Sequence, residues 1–243
     1  MMESGERRQM SDLKVGDSVL TVDVNGEYMF SPVILFLDRA PEESRQFYVI
    51  KTDAGHTLTL TPSHLIYSKS GSDDEYILQS DTINSDLNTN IIDTYENNKE
   101  NEEEEFSSFQ AVYASNVREG DFLLIFDSAD KRGLKPARVL KVETHVFSGV
   151  YAPLTSQGNL VVDNVLVSCY ALIDSQTIAH LSFAPLRLWY NMLDSLPSLI
   201  TPEKFKSNDV NEFNELNENG IHWYADGLYS LAEQIMPSRL WGR

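Results

Sequence analysis

The sequence predicts a mainly β fold, pseudosymmetric and built by duplication, with a small α-helical appendage at its C-terminal end. Three observations carry this reading. "LKVGDSVL" (Leu13–Leu20) recurs as "VREGDFLL" (Val117–Leu124). Gly16 and Gly120 stand 104 positions apart, Pro32 and Pro136 also 104, and Gly55 and Gly158 103. Landmarks at one offset and in one order mark an internal repeat. Beyond about Asp174 the apolar period changes from two to that of a helix.

Each repeat reads as strand, turn, strand, turn, strand. In "LTLTPSHLIYS" (Leu58–Ser68), Thr57, Thr59 and Thr61 alternate with Leu58 and Leu60, the pattern of a half-buried strand. Pro62 then removes a backbone donor and bends the chain. His64 follows, between that turn and a second apolar run. Duplicated short strands imply an all-β module with a pseudo-twofold axis. It is expected to span 1–175.

Between the repeats, about 71–107, lies an insert with twelve acidic residues and one lysine from Asp73 to Glu105. It is poor in aromatics and is read as a disordered, solvated loop. An insertion of that length between strands is thermodynamically tolerable. The region 176–243 is read as helical. Leu181, Leu186, Trp189, Leu193 and Leu196 fall at helical spacing between interrupting prolines. Ile221, Tyr224, Leu228, Leu231 and Ile235 step by three and four, as in an amphipathic helix.

Composition excludes several function classes. The apolar fraction of 42% supplies an ordinary core. A net charge of -18 argues against nucleic acid as a partner, because phosphates would be repelled. Cys169 is the sole cysteine, so neither an intramolecular disulfide nor a multi-cysteine metal site is available. His56, His145, His180 and His222 match no metal-ligand spacing, and no Gly-rich phosphate loop or G-x-S-x-G elbow occurs. No cofactor is expected. The first residues do not resemble a secretory signal, and no apolar run is long enough to span a membrane.

Four residues could carry chemistry. Thr61 and His64 flank a rigid turn, and their hydroxyl and imidazole could converge; a strand end with a satisfied histidine is the plain alternative. Asp38 closes the apolar run "VILFLD" beside Arg39. It is either half of a structural ion pair or a base tuned by apolar surroundings. Cys169 sits in the apolar strand "VLVSCYA", which suits a buried, inert thiol.

The stretches "PVILFLDR", "LTLTPSHLIYS", "GVYAPLTSQGNLVVDNVLVSCYALI", "SFAPLRLWY" and "NGIHWYADGLY" resemble the C-terminal autoprocessing region of hedgehog proteins. "TPSH", "SCYA" and "HWYA" together are the specific part of that resemblance, which covers nearly all of the chain except the acidic insert. It implies a Hint (hedgehog/intein) module followed by a sterol-recognition region. It also implies an autocatalytic, cysteine-type self-cleavage. A cysteine attacks the preceding glycine carbonyl, and cholesterol, the co-substrate, then resolves the thioester, so one hard amide cleavage becomes two easier steps. By this resemblance Thr61 and His64 polarise the scissile amide, and Asp38 is the general base on the sterol hydroxyl. Cys169 is the family's second, accessory cysteine. Leu186, Trp189, Leu193, Trp223, Tyr224 and Leu228 present apolar surface to a sterol or a membrane.

The expected partners are cholesterol, the chain's own N-terminal signalling domain in cis, and a membrane surface. An intramolecular reaction needs no oligomer, so a monomer is expected. The family implies the endoplasmic reticulum and secretory pathway, then an extracellular or membrane-associated location. The family's Gly-Cys-Phe junction would fall shortly before Met1, so the nucleophile is expected outside this chain. A fragment of a longer precursor is the favoured explanation, and a natural chain without its reactive end is the other. Two rival readings remain: a non-catalytic sterol- or membrane-binding Hint module, and an intein-like element. The latter is disfavoured because no His-Asn pair follows "SCYALIDSQ".

Overall fold

A computed structural model describes residues 1–23, 25–71, 108–127, 133–171, 183–185 and 187–188, with the backbone of 220–221. Its ten strands are β1 (Ser18–Val22), β2 (Tyr28–Thr52), β3 (Thr57–Leu60), β4 (His64–Lys69), β5 (Gln110–Tyr113), β6 (Phe122–Phe126), β7 (Leu134–Thr155), β8 (Asn159–Val162), β9 (Val165–Ala171) and β10 (Gly220–Ile221). The path of hydrogen-bonded neighbours runs β1-β2-β7-β6-β4-β9-β8, with β3 and β10 on β2 and β5 on β4. The fold is mainly β, as the sequence predicts.

The duplication is visible bond by bond. Short 3-10 turns at Met10–Asp12 and Ala114–Asn116 precede β1 and β6. In each repeat a glycine with positive φ follows, Gly16 at 90° and Gly120 at 98°. Only glycine takes that conformation without a steric penalty, which is why the residue recurs. Asp17 Oδ2 accepts from Lys14 N–H at 2.8 Å, and Asp121 Oδ2 accepts from Arg118 N–H at 2.8 Å. The long strands β2 and β7 then pair antiparallel along nearly their whole length. Ser44 and Ser148, 104 positions apart in the chain, face each other with their hydroxyls 2.9 Å apart. A residue paired with its own repeat mate lies on the pseudo-twofold axis.

The main core packs Leu35, Ile50, Leu58, Leu65, Leu154 and Val167 between the strands of both repeats. Burying each such side chain stabilises the fold by about 1.5–3 kcal/mol. β8 and β9 join through Asp163 and Asn164, both at positive φ, the geometry that a two-residue hairpin requires. Asn159 ties the repeats together: its amide group accepts from Val22 N–H at 2.9 Å and donates to Val22 O at 2.8 Å.

After β9, Phe183 is buried and stacks on Tyr170 with ring centroids 5.6 Å apart. Arg187 N–H donates to Phe183 O at 3.2 Å, one helical hydrogen bond, and its guanidinium donates to Ser156 O at 3.1 Å. Ile221, expected at the head of a helix, instead pairs as strand with Asp38, and Gly220 pairs with Arg39. The reason is the edge of β2. β1 covers it at residues 28–32 and β3 at 48–51, leaving the middle for β10 to fill. The acidic insert and the apolar positions Leu186, Trp189, Leu193, Trp223, Tyr224 and Leu228 lie outside the described residues, as does most of the expected helical region.

Candidate active site

The strands enclose a cleft of about 250 Å³ whose lining includes Asp38, Thr61, His64 and Cys169. The four residues singled out in the sequence thus share one cavity. They arrive from three parts of the fold: β2, the β3–β4 turn and β9.

Thr61 and His64 stand at the junction of β3 and β4. The β3 burial pattern alternates exposed and buried, as the Thr/Leu alternation predicts. Thr61 O accepts from His64 N–H at 3.1 Å, closing a tight turn with Pro62 at its second position. Pro62 O accepts from Ser115 N–H at 3.0 Å, so the second repeat holds the turn in place. The His64 imidazole keeps an opening toward the cleft but is walled by apolar groups. That burial pushes its pKa down to about 4, against a partial rise from a hydrogen bond to the Ser168 backbone. The ring is therefore neutral at pH 7.

Asp38 lies on β2 where the register against β7 slips between Phe36 and Asp38. Its ion-pair partner is Arg45, not the adjacent Arg39. Arg45 Nη1 donates to Asp38 Oδ2 at 2.9 Å. The same guanidinium clamps Glu43, from Nε at 2.8 Å and Nη2 at 2.6 Å. Those bonds hold the Glu43 carboxyl below its ordinary range. Arg39 points elsewhere, donating to Ser11 O at 3.1 Å with its guanidinium 4.7 Å from the Phe36 ring centre. Asp38 Oδ1 is buried and has no hydrogen-bond partner among the described residues. A buried carboxylate oxygen in that state is an unmet acceptor in the wall of the cleft.

Cys169 is 1% exposed. Thr155 Oγ1 lies 3.7 Å from its sulfur and donates its own proton to Asn159 O at 2.8 Å. The thiol is therefore the donor in the Cys169–Thr155 contact. Burial pushes its pKa up to about 11. Among the described residues no three His, Cys, Asp or Glu side chains gather as a metal site, and no helix is long and apolar enough to cross a membrane.

Sequence reasoning missed Arg45. The signal was Pro41 in "RAPEESR": proline inside a strand marks a bulge, and the register slips between Ala40 and Ser44. That slip lets two residues seven apart on one strand meet. Phe47, Gly149 and Tyr151 also line the cleft and carried no sequence signal of their own.

The arrangement supplies a neutral imidazole and a hydroxyl-bearing turn on one wall and a half-occupied carboxylate on another. It suits proton transfer around an acyl group held in the cleft.

The family model described as Hint module matches residues 1–237. The protein hedgehog of Drosophila virilis is 33% identical over 239 residues, covering 98% of this chain and 42% of that protein. The protein hedgehog of Drosophila yakuba is 34% identical over 237 residues, covering 98% of this chain and 43% of that protein. The chain thus spans about two fifths of the length of the curated relatives it matches. Among solved structures, a DnaB intein from Synechocystis sp. PCC 6803 aligns at a TM-score of 0.45 and 11% identity, over 69% of this chain and 90% of that one. The gp41-1 intein aligns at 0.43 and 14%, over 69% and 90%.

Proposed function

The chain belongs to the Hint-module family, and from that premise we propose that it is the autoprocessing part of a hedgehog-type precursor, releasing an N-terminal signalling fragment as a cholesterol ester. A cysteine thiol at the junction adds to the preceding glycine carbonyl. His64 takes the thiol proton and passes it to the amide nitrogen, which leaves as an amine. A neutral imidazole suits this order, since it is a base first and an acid second. Thr61 lies beside the amide and polarises it. The thioester then receives the sterol oxygen. The Asp38 carboxylate takes the hydroxyl proton as the C–O bond forms, the C–S bond breaks, and the thiolate leaves to be reprotonated.

The observation that carries the proposal is the Asp38 carboxylate, one oxygen of which has no hydrogen-bond partner among the described residues, in the lining of the cleft that also holds Thr61 and His64. An alcohol is a weak nucleophile until its proton is taken, so the second step needs an acceptor of this kind. The reading puts the chain in the secretory pathway, with a membrane as the source of sterol.

The test is a precursor in which a reporter protein ending in Gly-Cys-Phe precedes this chain. Dithiothreitol alone should release the reporter, and cholesterol should yield a reporter of increased mass. Asp38→Ala should lose the sterol adduct and keep thiol release, and His64→Ala should lose both. Failure of the parent precursor to cleave with either nucleophile overturns the proposal. So does sterol transfer that persists in Asp38→Ala.

A further inference from the structure

β2 is not one regular ladder around Asp38. Against β7 its register slips between Phe36 and Asp38 and again between Ala40 and Ser44. Between those slips Asp38, Arg39 and Ala40 pair in step with Ala152, Tyr151 and Val150. Each slip bends the strand and interrupts the run of backbone bonds. An island this short, held on one edge alone, would be free to shift, because a lone two-stranded ribbon is marginal in water.

The other edge of the island is where β10 lies. Gly220 pairs with Arg39 and Ile221 with Asp38, the residues that follow the first slip. The β1 ladder ends at Pro32 and the β3 ladder begins at Tyr48, so among the described residues no other strand pairs with that edge between Val33 and Phe47. Asp38 is held at its side chain by Arg45, and the Arg39 guanidinium donates to Ser11 O and Leu13 O at 3.1 and 3.4 Å. Those bonds orient side chains and leave the backbone beneath them to the ladders. The C-terminal region is anchored a second time, where Phe183 stacks on Tyr170 of β9 and Arg187 donates to Ser156 O at 3.1 Å. β9 carries Cys169 and β2 carries Asp38, and both residues line the cleft. Both described attachments of the C-terminal region thus reach a strand that walls the cleft.

We propose that β10 is a positioning element. Its pairing with Asp38 and Arg39 sets the β2 backbone between the two slips and so places the Asp38 carboxylate, coupling the C-terminal region to the chemistry through main-chain bonds. The inference rests on the proposed autoprocessing reaction for what Asp38 does. It is distinct from a role in capturing the sterol: positioning the base acts on kcat, and capture acts on KM.

The experiment has two arms. Gly220→Pro combined with Ile221→Pro removes both N–H groups of β10, one of which faces β2, and Ile221→Val keeps them as the control. In the first arm, hydrogen exchange of this chain is mapped by mass spectrometry. In the double-proline variant the peptide holding residues 36–40 is expected to exchange about tenfold faster, with residues 48–52 and β3 at the parent rate. Ile221→Val is expected to match the parent throughout. In the second arm, the Gly-Cys-Phe precursor is assayed with dithiothreitol and across sterol concentrations. Dithiothreitol release is expected to stay at the parent rate, which also reports that the module is folded. The kcat for sterol transfer is expected to fall about tenfold or more, with KM changed far less. An unchanged exchange rate at 36–40, an unchanged kcat, a raised KM with kcat held, or equal loss in both steps each overturns the proposal. If exchange at 36–40 responds while the parent precursor never cleaves, β10 stands as the brace of β2 and the autoprocessing reading falls.

Discussion

Arg45 Nη1 donates to Asp38 Oδ2 at 2.9 Å, while the buried Asp38 Oδ1 has no hydrogen-bond partner among the described residues. The pair engages one carboxylate oxygen, and the other is sealed from solvent. Glu43 holds Arg45 from the solvent side, so three charged groups form a relay from surface to site.

Arg45→Met should therefore damage the sterol step more than the thiol step. With its partner gone, the Asp38 carboxylate can rotate and its charge sits uncompensated beside apolar walls. A hydrogen bond to a charged group contributes about 1.5–3 kcal/mol, which corresponds to roughly 10- to 100-fold in rate. Arg45→Lys should recover part of that loss, since it keeps the charge but not the forked geometry. The ratio of sterol transfer to dithiothreitol release in the Gly-Cys-Phe precursor measures the effect. Equal loss in both steps would make Arg45 a structural residue only.

The stability of the chain should fall as pH drops from about 6.5 towards 4. His64 has a folded pKa of about 4 against an ordinary 6.5. Between these values the unfolded chain binds a proton that the folded chain excludes, so stability rises with pH across the window and is complete above it. Glu143, held at about 2 by Lys141 and Lys51, adds its own loss only below the ordinary carboxylate range. Urea midpoints between pH 7 and pH 5 therefore keep the carboxylates largely out, and the His64→Gln variant separates the imidazole from the Met1 amine, which burial also lowers. His64→Gln should flatten that slope, and an unchanged slope would mean the imidazole is not sheltered.

Much of this site was legible in the sequence, and the failures follow a pattern. Thr61 and His64 follow a strand with a period-two pattern, Asp38 closes one continuous apolar run and Cys169 lies in another, and the repeat landmarks set the order of those strands. The partner of Asp38 was misjudged because adjacency suggested Arg39. Neighbours on a strand point to opposite faces, so the adjacent residue was the wrong place to look. Arg45 reaches Asp38 only through a bulge whose sole sequence mark is Pro41. Ile221 fits a three-four helical spacing equally well on paper. It becomes strand because β2 has an uncovered edge between β1 and β3, a long-range fact that no local window contains.

Cys169 should be nearly inert in the native chain. Its thiol is pushed from 9.0 to about 11 by burial, which lowers the thiolate fraction roughly 100-fold before access is considered. Iodoacetamide at pH 8 should label the folded chain at least that much more slowly than the chain in guanidinium. Labelling at comparable rates would show that the strand carrying Cys169 opens readily to solvent.

Asn159→Leu should cost more stability than any surface change, although it removes no apolar contact. The side chain is buried and forms a closed pair with Val22, one bond of 2.9 Å to the N–H and one of 2.8 Å from the amide to the carbonyl. β1 belongs to the first repeat and β8 to the second, so this pair joins the two units where no backbone ladder does. Leucine has the same branched skeleton but leaves both Val22 groups unsatisfied in a dry interior. Each orphaned group costs about 1–3 kcal/mol, so the loss for the two should be about 2–6 kcal/mol. In a chain of this size that lowers the melting temperature by about 2–4 °C per kcal/mol. Asn159→Asp keeps the acceptor for Val22 N–H but loses the amide donor and sets a carboxylate against the Val22 carbonyl, so it should destabilise at least as much. Thermal unfolding by circular dichroism decides the matter. If Asn159→Leu melts within 1 °C of the parent, the Val22 groups find other partners and the contact between β1 and β8 depends on apolar packing alone.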